Sequence, residues 1–72
     1  DTVVFVEVKA RTTLAAALES VTPRMRHRIA GAARYFLAKN EKLAGCALRF
    51  DVIALAPPFY WRHLDNAFAP PA

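Results

Sequence analysis

Residues 3–9, Val-Val-Phe-Val-Glu-Val-Lys, constrain the fold of this chain more than any other stretch. A run of β-branched and aromatic residues favours a strand over a helix, and so much apolar side chain predicts a buried one. Two charges interrupt the run at a spacing of two. Side chains alternate faces along a strand, so Glu7 and Lys9 share a face with Phe5, while Val4, Val6 and Val8 take the other. A carboxylate and an ammonium in an apolar strand are costly unless paired or put to use.

The chain on either side of a helix signal fills in the rest. Residues 12–21 read as a loop with about one helical turn over residues 14–19. Thr22-Pro23 places an N-cap hydroxyl before a proline whose missing N–H does no harm at the first helical position. A helix is predicted over residues 23–40, with Met25, Ile29, Ala32, Ala33 and Phe36 as its apolar stripe. Arg24, Arg28, Tyr35 and Lys39 form a second stripe, with Arg26, His27 and Arg34 beyond it. Cations in the first turn oppose the helix dipole, which an anionic ligand would relieve. Residues 47–55 read as a second strand, with Phe50, Val52 and Ala54 on one face and Asp51 and Ile53 on the other. Pro57-Pro58 stop it. Residues 59–64 read as a short third strand antiparallel to the second, Asp65-Asn66 as a turn, and residues 69–72 as a frayed tail. Strand, helix, strand is a βαβ unit with parallel neighbours, which belongs to an α/β fold with a mixed sheet.

Seventy-two residues make one small domain at most, and an apolar share of 56% argues against disorder. The net charge of +4 suits a polyanionic partner without requiring one. Cys46 is the only cysteine, so no intrachain disulfide forms and nothing demands an oxidising compartment. No apolar run approaches the roughly 20 residues of a membrane span, and no secretion signal is visible. No membrane partner is expected, and a cytoplasmic setting is.

Glu at one strand position and Lys two further on have a recognisable chemistry. The carboxylate can take a hard cation such as Mg²⁺ or Mn²⁺, and the ammonium can orient a water beside it. Roughly one chain in four of this length has a Glu-x-Lys by chance, so the pair gains weight only from its strand. The competing reading is a strand-end ion pair of Glu7 with Lys9 or Arg11.

Four blocks taken together carry a closer likeness. Val4-Phe5-Val6-Glu7-Val8-Lys9-Ala10-Arg11, Val21-Thr22-Pro23-Arg24, Arg49-Phe50-Asp51-Val52 and Asp65-Asn66-Ala67-Phe68 resemble, in the same order, the YraN-like family. These are small bacterial predicted endonucleases of the PD-(D/E)xK nuclease superfamily, similar to Holliday-junction resolvases. The resemblance implies a restriction-endonuclease-like core and metal-dependent cleavage of DNA. It makes Glu7 a metal ligand and catalytic residue, and Lys9 the catalytic group that handles the attacking water. It also departs from the family: the strand bearing the first metal-binding aspartate, in a Gly-Glu-Ile-Asp-like segment, lies upstream of Asp1. The chain therefore reads as the C-terminal part of such a domain, with half a catalytic site and no expected cleavage of its own.

Arg11, Arg24 and Arg28 are the expected contacts to DNA phosphates. A non-catalytic nucleic-acid-binding module using helix 23–40 is the alternative. Asp51 reads either as support for the site or as a salt bridge to Arg49 or Lys9. Phe59, Tyr60 and Trp61 read as core packing ahead of a stacking surface for bases. His27 and His63 show no ligand spacing. If the first strand keeps a free edge, a homodimer through that edge is also expected.

Overall fold

A computed structural model describes residues 1–69; the end of the predicted frayed tail, residues 70–72, lies outside the described residues. The chain runs β1 (Thr2–Ala10), α1 (Leu14–Glu19), α2 (Pro23–Ala38), a 3₁₀ turn (Glu41–Leu43), β2 (Ala47–Ala56) and β3 (Tyr60–Leu64). The three strands form one mixed sheet in the order β1-β2-β3. β1 and β2 are parallel from Thr2↔Ala47 to Ala10↔Leu55, and β2 and β3 are antiparallel from Val52↔Leu64 to Ala56↔Tyr60. The predicted α/β class, the βαβ unit and the third strand are all present. The boundaries differ from the predicted ones by one or two residues, the usual fraying at element ends.

Local signals account for both helices. The Thr22 hydroxyl accepts from the Met25 N–H at 3.2 Å, and Pro23 follows it at the helix start. The Thr13 hydroxyl does the same for the Ala16 N–H at 3.0 Å, turning residues 14–19 into a complete short helix. Lys39 caps α2, and the Asn40 side chain donates to the Phe36 carbonyl at 2.7 Å.

The core lies on one face of the sheet. Met25, Ala30, Ala33, Phe50, Val52 and Phe68 are buried together, with Phe5, Val21 and Ile29 packed against them. In-register pairing sets Phe5 beside Phe50, with ring centroids 5.7 Å apart, and Phe68 stacks on Phe50 at 5.1 Å. Phe36 meets the edge of Phe5 at 5.8 Å. Four rings thus run from α2 across both parallel strands to the segment after β3. The stripe of α2 turns slightly from the predicted one: Ala30 is buried where Ala32 was expected, and Ala32 is exposed.

The opposite face differs from expectation. Val4, Val6 and Val8 are 38%, 49% and 52% exposed, so β1 is buried on one side only. Among the described residues nothing packs over them, because the helical crossover and the returning tail occupy the other face. The outer edge of β1 likewise meets no strand among the described residues. Phe59, Tyr60 and Trp61 are 81%, 66% and 66% exposed, which overturns their assignment to the core. They sit at the turn end of the β2–β3 hairpin, where their side chains stay open to solvent.

Two substitutions separate the faces. Phe68→Ala is expected to lower unfolding free energy by about 3 kcal/mol. Val6→Thr is expected to change it by less than about 0.5 kcal/mol. Urea unfolding followed by circular dichroism measures both, and a large loss at Val6 would show that the valine face is covered.

Candidate functional site

Strand parity brings Glu7 and Lys9 together. Both project from the core-facing side of β1, and the Lys9 Nζ lies 3.5 Å from the Glu7 Oε1. Neither side chain is fully exposed, at 23% for Glu7 and 17% for Lys9. From α2, the Arg28 guanidinium comes to 4.0 Å from the other Glu7 oxygen. One carboxylate is thus flanked by two cations at the rim of the sheet, beside the start of a basic helix. A carboxylate so placed can pair with those cations, give them up to a phosphate, or take a divalent ion in their place.

The other predicted residues are less closely gathered. Arg24 sits one helical turn before Arg28 and is exposed. Arg11 lies just past the end of β1, where its side chain donates to the Ala10 carbonyl at 2.7 Å and its backbone N–H to Leu55. Arg26 turns away from Glu7 and lies over the Phe68 ring at 5.6 Å, holding the returning tail. The approach of Arg28 to Glu7 was not legible in the sequence, since it depends on how α2 crosses β1. Among the described residues, no three His, Cys, Asp or Glu side chains gather closely enough to hold a metal.

Asp51 takes no part in this site. It lies on β2 beside Arg49 and Ile53, on the face opposite Glu7, yet is only 1% exposed. Arg49 grips it with two hydrogen bonds, Nε to Oδ1 at 2.8 Å and Nη2 to Oδ2 at 2.9 Å. The Asn66 backbone N–H donates to Oδ1 at 3.0 Å, and the His63 Nε2 lies 2.8 Å from Oδ2. Of the two readings of Asp51 left open by the sequence, the salt bridge to Arg49 is the one observed. The spacing of two already puts Arg49 and Asp51 on one face. The contribution of His63 could be found only once the β2–β3 register was known. The Arg49 guanidinium, then the Asn66 N–H and the His63 ring, hold the Asp51 carboxyl well below the usual carboxylate range against the opposing effect of burial.

Comparison with known proteins places the chain among bacterial relatives. The family model described as "Uncharacterised protein family UPF0102" matches residues 1–55. A UPF0102 protein of Paramagnetospirillum magneticum is 50% identical over 68 residues, which is 94% of this chain and 53% of that protein. One from Methylorubrum extorquens is 49% identical over 67 residues, covering 93% of this chain and 52% of the relative. One from Rhodopseudomonas palustris is 47% identical over 66 residues, covering 92% and 51%. The chain spans about half the length of the curated relatives it matches. No helix among the described residues is long and apolar enough to cross a membrane.

The buried carboxylate has a pH signature. A group whose pKa is depressed by folding adds stability above its unfolded pKa of roughly 3.9, and that stability is lost as pH falls below it. Asp51→Asn is therefore expected to cost about 2–4 kcal/mol near pH 7. The gap from the parent chain should shrink steadily below about pH 4. Urea unfolding of both chains at pH 7, 5, 4 and 3 measures it; a gap that does not change with pH would show that the charge is not what matters.

Proposed function

The chain belongs to the uncharacterised protein family UPF0102, and from the Glu7–Lys9 geometry together with the likeness to PD-(D/E)xK nucleases we propose a role in metal-dependent cleavage of DNA. The observation that carries the proposal is the pair itself. A carboxylate and an ammonium emerge 3.5 Å apart from one face of β1, which pairs in parallel with the central strand β2, beside a helix rich in arginine. Such an arrangement matches the half-site that the PD-(D/E)xK resemblance implies.

Glu7 fits a hard divalent ion as a single ligand, since Mg²⁺ and Mn²⁺ accept one or two carboxylates together with phosphate oxygens and water. A second carboxylate would come from the part of the relatives' length that this chain does not span. When bound, such an ion acidifies a coordinated water and neutralises charge on the phosphodiester. In this scheme Glu7 gives up its contacts to Lys9 and Arg28 as the phosphate arrives. Lys9 then holds the attacking water and offsets negative charge in the transition state. Arg28, freed from Glu7, and Arg24 one turn away hold backbone phosphates, with Arg11 reaching one beyond the strand end.

A second reading is favoured by one observation: the Glu7 carboxylate already faces two cations. On that reading the chain binds nucleic acid through α2 and Glu7 only positions Arg28. One experiment separates the two. Junction and duplex DNA are incubated with Mg²⁺ or Mn²⁺ and the full-length gene product carrying this chain, with and without Glu7→Ala. The nuclease proposal expects nicking that falls by about 100-fold or more in Glu7→Ala, with DNA binding in EDTA retained. Equal nicking removes Glu7 from the mechanism. No nicking, with binding that weakens steeply with salt and is lost in Arg24→Ser/Arg28→Ser, supports the second reading.

A further inference from the structure

Three consecutive aromatic side chains at the tip of the β2–β3 hairpin are exposed, and neither the core nor the Glu7 site uses them. Tyr60 pairs with Ala56 and Trp61 with Leu55, so strand alternation sends their rings to opposite faces. Phe59 leads into them from the loop. Arg62 follows on the same face as Tyr60. On the other side of β2, the Arg11 N–H bonds the Leu55 carbonyl, which brings a second exposed arginine to the same end of the sheet. A hollow lined by Ala10, Arg11, Thr12, Ala16 and Pro57 opens beside the loop. Between Asp51 and Asp65 the sequence holds no acidic residue. The tip therefore combines bare aromatic rings with the two arginines, Arg11 and Arg62.

We infer that this tip is a seat for an unpaired nucleic-acid strand, with bases stacking on Trp61 and Tyr60 and phosphates held by Arg11 and Arg62. The inference rests on the nucleic-acid reading above, though not on its metal chemistry. Rings that point to both faces of a hairpin cannot all be buried by one flat protein partner, whereas successive splayed bases can each take one. A second copy of the chain would bring Arg11 and Arg62 against their own equivalents, so like charge opposes that occupant. In a paired duplex the faces of the bases are already stacked on one another, which leaves them closed to the rings except at ends. A strand with free π-faces fits the tip, and stacking of this kind is tolerant of sequence.

Trp61 is the only tryptophan, so its fluorescence reports on the tip directly. The 72-residue chain is titrated in EDTA with oligo-dT and with a blunt duplex of equal phosphate number. The expected result is quenching of Trp61 by oligo-dT and little change with duplex. By fluorescence anisotropy of labelled DNA, Trp61→Leu and Tyr60→Leu should each weaken oligo-dT binding about tenfold. Duplex binding and the circular dichroism spectrum should stay as in the parent chain, and Trp61→Phe should retain most of the affinity. Oligo-dT binding that leaves Trp61 emission and both Leu variants unchanged would remove the seat while leaving the nucleic-acid reading in place. Failure of both DNAs to bind would remove both. A change in Trp61 emission with protein concentration alone would overturn the inference in favour of self-association.

Discussion

A single buried carboxylate fixes the path of the second half of this chain. Asp51 is almost wholly removed from water on a strand whose other residues, Arg49 apart, are apolar. A charge in that position is tolerable only with several donors, and here they come from three places. Arg49 supplies two from its own strand, His63 one from β3, and Asn66 one from the turn after β3. Satisfying Asp51 thus sets how the hairpin closes and where the chain reverses. The reversal uses Asn66 at a φ of 50°, a left-handed conformation that asparagine adopts more readily than most residues. The Ala67 N–H then bonds the Phe50 carbonyl, and Phe68 lands on the Phe50 ring. A polar contact on one face of the sheet delivers an aromatic side chain to the core on the other.

The two charged clusters of the sheet differ in kind. Asp51 is closed: every lone pair that matters has a protein donor, and little room remains for an added ligand. Glu7 is open, because its cations sit at 3.5 and 4.0 Å and its side chain still meets solvent. Loose pairing at partial exposure is weakly stabilising and easily exchanged for another anion or cation. Asp51 therefore holds the fold, while Glu7 can exchange its partners.

Local signals were legible in the sequence, and burial was less so. Thr22-Pro23 marks the start of α2, and parity along β1 puts Glu7 and Lys9 on one side. Both depend only on near neighbours in the chain. Exposure of Val4, Val6 and Val8 depends instead on which face the crossover helices take. A β-branched run looks the same whether one face or both are covered. Phe59, Tyr60 and Trp61 misled for the same reason: large rings predict burial on average, but these stand at the turn end of a hairpin, where burial depends on what the rest of the chain places against them. His63 carried no local signal at all. Its partnership with Asp51 is a product of the antiparallel register, 12 residues away in sequence.

The parallel pairing of β1 with β2 has a consequence for how the chain is made. Each residue of β1 finds its partner 45 positions later, as in Thr2↔Ala47 and Ala10↔Leu55. During synthesis the first strand leaves the ribosome long before the second exists, and closing so wide a loop is entropically slow. Both helices can form in that interval, since their caps and hydrogen bonds are local. Until β2 emerges, the valine run lacks its parallel partner, and that interval is when a chaperone would have the most to hold.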